Sequence, residues 1–441
     1  MLSKTPKFTK ILSGFAVFAV VLVTLSCSKS NSNSQRTRSG LPFRAFVSNP
    51  VHPSASGGGF PALEIMNATK DLLSGFTVSL TTAGSTLADA GMMSVSPNHD
   101  RTLVVSPRDS RLGVVDNARE TFAGSFALPG TSESFFVWTD NVSAFIAVPN
   151  AQVTGQAPGL VEKLNTSSGA VTASLPIPSA HYVVSSPDGS QILVFSDNVD
   201  TVVLLTPSLI GAAGQTSTIA PCTTLQVQAC TLPVTLDRPI GAVFDPSGAT
   251  TYVLNCGPEC GGTTAGVAAL DMTNTGNAGS LLLATTPLAG ATAALLQGNQ
   301  LYVAGTQAGT GGVLSVLNLA SGISAVDCTS ATPANCATFP ITDGYHTRIQ
   351  MGANGQLFVG ARFCTAGCLS IFDTTKSSVI LPSLTGDVTG IEPIPSRSVV
   401  YVCQGGLLRV YDTTTDQLEK IKTFGQPDII GQAIDVKVVD F

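Results

Sequence analysis

Charged side chains are scarce in this sequence, at 11% of 441 residues, and aromatic residues make up only 6%, with a single Trp. Charge this sparse excludes a coiled coil, a long-helix bundle and a charge-rich disordered chain. An excess of basic residues is also lacking, because the formal charge is −6 and the pI is about 5.2. Nucleic-acid binding relies on a basic surface, so we expect no nucleic-acid partner.

The one long hydrophobic run, residues 11–25, is shorter than the roughly 20 residues that a membrane-spanning helix needs. Three lysines precede it at positions 4, 7 and 10, a pattern that predicts a signal peptide over residues 1–26. The run ends Val23-Thr24-Leu25-Ser26-Cys27, which resembles the lipobox of bacterial lipoproteins, with Thr24 as a departure from the usual larger aliphatic residue. This resemblance implies lipidation of Cys27; an ordinary secretory peptide with an incidental cysteine is the alternative.

Residues 27–42 are predicted to form the lipidated cysteine and a flexible tether, since residues 28–40 are rich in Ser and Asn and have no apolar periodicity. Removing residues 1–26 takes away three Lys and no acidic residue, so the mature charge is −6 − 3 = −9. Such an acidic body is not drawn to anionic lipid, and we expect membrane attachment through the lipid anchor only. Ser28 after the cysteine resembles the outer-membrane sorting class of Gram-negative lipoproteins, which implies an exported cell-envelope protein, periplasmic or surface-facing.

A short pattern recurs along the remaining chain and consists of a strand, a tight turn rich in Pro, Asp, Asn and Gly, and a second strand. Pro presets φ in such turns, and Asp-Gly or Asn-Gly supplies the positions with positive φ. The clearest copies lie at residues 186–194, 245–253 and 352–359, with looser copies at residues 96–104, 140–146, 297–303 and 395–402.

Each copy is followed by another short apolar segment that ends in Asp or Asn. The terminal residues of these segments are Asn67, Asp116, Asn165, Asp271, Asn318, Asp373 and Asp412. Another β-rich run comes next, so the unit is four strands in about 40–60 residues. Strands at this spacing predict a single all-β domain, a β-propeller of four-stranded blades over residues 43–441. A β-sandwich or two smaller barrels are the alternatives.

The quoted segments resemble the YVTN-type β-propeller repeat proteins of surface layers and the periplasm. The family pattern, small-Pro-Asp-Gly followed by Leu-Tyr-Val and later Val-x-Val-Ile-Asp, is matched piecewise from Pro42 onward, although no copy spells Tyr-Val-Thr-Asn. The resemblance implies the propeller fold and says little about chemistry, because many activities share this scaffold.

Counting first strands gives starts near residues 92, 135, 181, 240, 291, 346 and 389. Residues 43–80 contain three strands and lack a first one, while residues 433–440 form a final strand without a partner. We therefore expect the C-terminal strand to complete the N-terminal blade, which closes the ring and removes its open edge. This arithmetic gives eight blades; seven is the alternative, because residues 208–236 blur the fourth blade.

Eight of the cysteines fall in tight local pairs, which in an exported protein indicate disulfides. The predicted bonds are Cys222–Cys230, Cys256–Cys260, Cys328–Cys336 and Cys364–Cys368. The second and fourth pairs each have three intervening residues and follow second strands, so they would clip equivalent loops in different blades. A shared zinc site of those two pairs is the alternative. Cys403 is left over and is expected to be a buried free thiol.

No haem-attachment, zinc-protease, nucleophile-elbow, phosphate-loop or EF-hand motif occurs in the sequence. Propeller ligands usually bind where loops enter the innermost strands, so residues just before those strands are the candidates for the channel mouth. They are Glu133, His181, Arg238, His346, Arg348 and Asp387. In propeller lactonases, carboxylate and imidazole groups from several blades converge on a divalent metal. His181, His346, Glu133 and Asp387 are the corresponding candidate ligands here, and no cofactor other than such a metal is expected.

Two functions from different classes remain open on the sequence. The first is a lipid-anchored, monomeric binding or scaffold module for an envelope protein or glycan, without catalytic activity. The second is a metal-dependent propeller hydrolase or lyase with its site at the central channel.

Overall fold

The computed structural model describes residues 37–440 apart from residues 55–56, 133–135, 212–218, 224–226, 308, 310, 331 and 420–430. Cys27, the predicted signal peptide and most of the predicted tether lie outside the described residues. Thr37–Phe441 is one compact unit. In the part of the chain that is described, no helix is long and apolar enough to cross a membrane.

Eight antiparallel sheets of four strands each form the blades. Blade 1 takes its innermost strand, β34 (Val436–Val438), from the C-terminus, followed by β1 (Arg44–Pro53), β2 (Gly59–Asn67) and β3 (Leu72–Ser79). The strands of blades 2, 3 and 4 are, from the centre outward, β6 (Met93–Val95), β7 (Arg101–Ser106), β8 (Arg111–Asp116) and β9 (Thr121–Ala127); β10 (Phe136–Trp138), β11 (Ser143–Val148), β12 (Leu160–Asn165) and β13 (Ala170–Pro176); and β14 (Ala180–Ser185), β15 (Ile192–Ser196), β16 (Val202–Leu205) and β17 (Ala229–Thr231).

The other half of the ring repeats this order. The strands of blades 5 to 8 are β18 (Pro239–Phe244), β19 (Thr250–Asn255), β20 (Gly266–Asp271) and β21 (Leu282–Pro287); β22 (Ala293–Gln297), β23 (Gln300–Gln307), β24 (Gly311–Asn318) and β25 (Cys336–Ile341); β26 (Tyr345–Met351), β27 (Gln356–Arg362), β28 (Leu369–Asp373) and β29 (Ser378–Ile380); and β30 (Val388–Pro393), β31 (Val399–Gln404), β32 (Leu407–Asp412) and β33 (Gln417–Glu419). A small hairpin, β4 (Thr81–Thr82) and β5 (Ser85–Thr86), and a four-residue helix, α1 (Ala278–Leu281), lie between strands.

The fold class is therefore confirmed, an all-β propeller with eight blades, and the C-terminal strand closes the ring. β34 pairs with β1 in antiparallel register, with Val47 opposite Val436 and Ala45 opposite Val438. At the end of this pairing, Arg44 contacts Asp440 at 2.6 Å and Glu120 of blade 2 at 2.8 Å. The first and last described parts of the chain thus build one sheet.

The core lies between blades. Buried apolar side chains of the described residues form eight clusters, and each cluster joins two neighbouring blades. The cluster that joins blades 8 and 1 contains Val47 of β1, Tyr401 of β31 and Val436 of β34. Successive residues of a strand face opposite sides of its sheet, so Val47 packs in the cluster with blade 8 and Phe46 in the cluster with blade 2.

In the turns that begin at Ser96, Ser186 and Asp245, a side-chain oxygen accepts the same backbone N–H. Arg101 donates its N–H to Ser96 Oγ at 3.0 Å, and Gln191 donates its N–H to Ser186 Oγ at 3.0 Å. Six of the seven terminal Asp and Asn residues of third strands accept the N–H two residues further on, as Asp373 does from Thr375 at 2.9 Å, whereas Asp116 accepts the N–H of Arg119. Gly189 has φ +69°, and an added Cβ there would collide with the carbonyl oxygen of Thr139, so this turn requires glycine.

All four predicted disulfides are formed, and Cys403 is the free, buried cysteine of the described chain. Cys256–Cys260 and Cys364–Cys368 clip the loops between second and third strands of blades 5 and 7. The other two bonds join the connection after the third strand to the fourth strand itself, in blades 4 and 6.

The ring has two faces with different connections. We use mouth face for the side where outermost strands connect to the next blade and where second strands connect to third strands. The opposite face carries the remaining turns. The described chain enters on the opposite face, where Ser39 donates its N–H to Glu120 Oε2 at 2.6 Å and Arg44 donates to the carbonyl of Asn117.

Candidate functional site

A cavity of about 880 Å³ opens on the mouth face, and we call it the mouth cavity. Its walls come from the starts of the innermost strands in blades 4, 7 and 8 and from loops of blades 1, 2, 7 and 8. A volume of this size lies within the range of about 300–1,000 Å³ that is typical of small-ligand sites.

Two tyrosines bridge the central channel at the floor of the mouth cavity. Tyr182 of blade 4 and Tyr345 of blade 7 approach to 3.3 Å between their hydroxyl oxygens. The imidazole of His181 stacks on the ring of Tyr182 with 4.2 Å between centroids. A second cavity of about 370 Å³ lies beyond, and its lining also includes both tyrosines. The tyrosines therefore present one polar floor to the mouth cavity.

Arg348 stands beside this floor and lines both cavities. Its Nε donates to the carbonyl of Thr389 at 2.9 Å, its Nη1 to the carbonyl of Thr347 at 2.8 Å, and its Nη2 contacts Met92 Sδ at 2.7 Å. A guanidinium has five N–H groups, so one N–H on each terminal nitrogen has no acceptor among these partners. Burial lowers the pKa of Arg348, and nearby Asp435 acts in the other direction. Arginine nevertheless stays charged at physiological pH.

The remaining charges of the mouth cavity are balanced by their neighbours. Arg108 lies 3.6 Å from Asp89, and Arg362 lies 3.7 Å from Asp387. Asp435, the carboxylate that influences Arg348 most, lies 3.5 Å from Lys437, which also lies 3.4 Å from Glu392. Among the described residues, Arg348 has no carboxylate within ion-pair distance. Arg348 therefore has no direct ion-pair partner among them, and Asp435 acts on its charge only from a longer distance.

Of the six candidates for the channel mouth, the cavity brings together His181, Arg348 and Asp387. His181 Nδ1 lies 2.9 Å from Asp197, and Asp387 accepts the backbone N–H of Phe363 at 2.8 Å. Glu133 lies outside the described residues. His346 and Arg238 are placed elsewhere, for reasons of register and pairing.

His346 is fully buried behind the cavity wall. Its Nε2 lies 3.0 Å from the carbonyl oxygen of Thr342, which can only accept, so this nitrogen carries the proton. Burial lowers the pKa of His346 to about 4, which keeps the ring neutral. His346 therefore has the geometry of a core residue.

His181 and His346 are not at equivalent positions, although the sequence repeat suggests that they are. Bulges interrupt the innermost strands at their starts, so that Ala180 pairs with Ser196 and Tyr182 with Phe195, leaving His181 as the extra residue. In blade 7, His346 pairs with Ala361 and the extra residue is Thr347. The two histidines thus differ by one residue, and in a strand that offset sends side chains to opposite sides.

Arg238 is held at a separate loop of the mouth face. Its guanidinium lies 3.7 Å from Asp200 and donates to the carbonyl of Asn198, while its own N–H is bonded to Asp200 at 3.2 Å. It does not line the mouth cavity.

Of the four candidate metal ligands, His181, His346 and Asp387 lie in the described part of the chain. Within the described ranges, no three His, Cys, Asp or Glu side chains are grouped so that they could hold a metal ion. His181 is paired with Asp197 and His346 is bonded to a carbonyl, while Glu133 is outside the description. Of the four candidate ligands, only His181 and Asp387 share the cavity.

Three aromatic residues of the site were not singled out from the sequence, namely Tyr182, Tyr345 and Phe363. Tyr182 and Tyr345 adjoin the candidate histidines, so the pairs His181-Tyr182 and Tyr345-His346 were a usable signal. Phe363 directly precedes the clipped Cys364, which marks it as a loop residue rather than a core residue.

These features define a β-propeller with a polar mouth cavity whose described lining includes three arginines and two aspartates. No protein-family model matches the sequence, and no curated protein is significantly similar to it. Solved structures share the fold at low identity. Dihydro-heme d1 dehydrogenase NirN in complex with DHE gives a TM-score of 0.58 at 12% identity, over 90% of this chain and 75% of that chain.

Two further structures are similar over a comparable length. Hydrazine synthase of Kuenenia stuttgartiensis gives a TM-score of 0.52 at 12% identity, over 80% of this chain and 99% of that chain. A functionally unknown protein from Desulfotomaculum acetoxidans gives 0.51 at 14% identity, over 82% and 99%. At such identities the similarity shows the propeller fold alone.

Proposed function

We propose that this protein is an exported, lipid-anchored binding module of the bacterial cell envelope, with its ligand site in the mouth cavity. In this proposal residues 1–26 are the signal peptide, residues 27–42 the lipidated Cys27 and tether, and residues 43–441 the propeller. Membership of the YVTN-type repeat group and an outer-membrane location, periplasmic or surface-facing, belong to the same proposal. The sequence patterns described above support these assignments.

The guanidinium of Arg348, which has no direct ion-pair partner among the described residues, carries the binding proposal. A cation that stands in a cavity with free N–H groups favours an anionic group of a ligand. The paired charges of Arg108, Asp89, Arg362 and Asp387 add donors and acceptors without changing the net charge of the site. The ligand is an envelope protein or glycan, and the protein acts as a monomer without a nucleic-acid partner.

The metal-dependent hydrolase or lyase is less well supported, because no group of three His, Cys, Asp or Glu side chains among the described residues could hold a metal ion.

Hydrogen exchange of the lipidated protein in detergent tests the binding site. Isolated cell envelope of the source organism should protect residues 343–368 and 387–406, which flank the mouth cavity, and Arg348→Gln should remove that protection. The turns of the opposite face are the internal control. Protection confined to the opposite face, or none, contradicts the proposal.

Cys27→Ser should move the protein from the detergent phase to the aqueous phase in a phase-partition experiment; unchanged partitioning contradicts the anchor.

A further inference from the structure

Phe363 is an aromatic side chain exposed at the rim of the mouth cavity. It is 75% exposed, the most exposed of the large apolar residues in the described chain. Its φ is +60°, a left-handed conformation that bulky residues rarely adopt. A bulky apolar side chain that is exposed to solvent and has a strained backbone conformation indicates a binding role.

The loop that carries Phe363 is fixed on three sides. Asp387 accepts the N–H of Phe363 at 2.8 Å, and the Cys364–Cys368 disulfide follows immediately. Asp343 accepts the N–H of Thr365 at 3.1 Å and its hydroxyl at 2.6 Å. The guanidinium of Arg362 lies 5.1 Å from the centroid of the Phe363 ring. The exposed ring is therefore presented by a rigid loop, which lowers the entropy cost of binding against it.

The equivalent disulfide-closed loop of blade 5 has no exposed aromatic residue before its first cysteine. There Asn255 lies opposite Pro239 at the start of the innermost strand, and Cys256 follows at once. In blade 7 Ala361 lies opposite His346, and Arg362 and Phe363 are inserted before Cys364. Because a clip of this kind forms without the insertion, closing the loop does not account for Phe363.

We infer that the mouth cavity binds an acidic saccharide, with a sugar ring packed on Phe363 and its carboxylate bound by Arg348. This inference rests on the proposed binding function of the cavity and adds the ligand class. The apolar C–H face of a pyranose ring matches an exposed aromatic face. A carboxylate takes the two N–H groups that Arg348 leaves free.

The polar groups of the cavity suit the remaining parts of such a ligand. Sugar hydroxyls both donate and accept hydrogen bonds, and the cavity offers acceptors in Asp89 and Asp387 and phenol groups in Tyr182 and Tyr345. An acidic peptide would use Arg348 in the same way, but an Asp or Glu side chain has no ring face that packs on Phe363. We therefore favour the saccharide, and the peptide is an outcome of the test.

Calorimetric titration of the full lipidated protein in detergent micelles, with trigalacturonic acid as the probe, tests this inference. Its methyl ester keeps the sugar rings and removes the charges, so we expect it to bind about 10- to 100-fold more weakly. Arg348→Gln should lower affinity for the acid to that for the ester. Phe363→Ala should weaken both probes about 3- to 10-fold. Phe76→Ala is the matched control, because Phe76 is 46% exposed on the outermost strand of blade 1.

Several outcomes overturn the inference. It fails if the acid does not bind, if acid and ester bind equally, or if Phe363→Ala leaves both affinities unchanged; Phe363 is exposed, so its loss leaves the fold intact. Binding of hexaglutamate that depends on Arg348, without binding of trigalacturonic acid, would replace the saccharide by an acidic peptide. In that case envelope protection of the mouth cavity would persist, whereas failure of the proposed function would abolish the protection itself.

Discussion

At the scale of single residues, a shift of one position separates a cavity residue from a core residue. His181 lines the mouth cavity because it is the extra residue of a bulge, whereas His346 lies one position earlier in its strand and is fully buried. The sequence shows two histidines at the starts of two repeats, and that much could be predicted. The side to which each points depends on where the bulge falls, which the repeat pattern does not encode.

The burial of His346 predicts a loss of stability in acid. Burial lowers its pKa from 6.5 to about 4 in the folded protein, so between these values the unfolded chain takes up a proton that the folded protein does not. Stability therefore falls as the pH drops through this window, by on the order of 3 kcal/mol for this group.

Chemical denaturation of wild type and His346→Gln at pH 7.5 and pH 4.5 measures the effect. The destabilisation caused by the substitution should be about 2–3 kcal/mol smaller at pH 4.5, because only the wild type loses the histidine contribution. An equal difference at both pH values would contradict a buried neutral imidazole.

At the scale of elements, the turns were predictable and the contacts across the channel were not. The residues at positions 96, 186 and 245 begin the same turn because their side-chain oxygens accept the same backbone N–H. These hydrogen bonds join residues that are close in the sequence, so the turn residues themselves indicate them. The Tyr182–Tyr345 contact joins blades 4 and 7, which are not neighbours. Phe363 lines the cavity because two extra residues precede Cys364 in blade 7. Neither feature follows from the repeat unit.

The Cys364–Cys368 disulfide should both stabilise the folded protein and restrict the motion of its own loop. Replacing both cysteines by Ser should cost about 2 kcal/mol, the chain-entropy contribution of a short loop. Amide exchange should also rise for residues 363–368, because the clip helps to hold the exposed ring of Phe363. Equilibrium unfolding and hydrogen exchange measure the two effects.

Replacing Cys256 and Cys260 by Ser is the matched control for that experiment. This variant removes a disulfide of the same length from blade 5, so its stability should fall by a similar amount while affinity at the mouth cavity stays unchanged. If the blade 7 variant kept wild-type exchange and affinity, the loop would not depend on its disulfide.

At the scale of the whole molecule, the ring is closed by residues that are about as far apart in sequence as the chain allows. β34 and β1 pair side by side, and Arg44 contacts Asp440 from the other end of the chain. The sequence predicted this closure because one blade lacked a first strand and the C-terminus supplied a strand without a partner. Closure also shapes the site, since Pro50 and Gln432 from the two ends both line the mouth cavity.

Cross-linking the two ends tests this closure most directly. Ala45 and Val438 lie opposite each other across β1 and β34, so the double variant Ala45→Cys/Val438→Cys, in a Cys403→Ala background, should form a fifth disulfide within each molecule. Non-reducing electrophoresis should show one faster-migrating monomer, and thiol titration should find neither new cysteine free. Free thiols in the folded protein, or cross-links between molecules only, would contradict a ring closed by its own C-terminal strand.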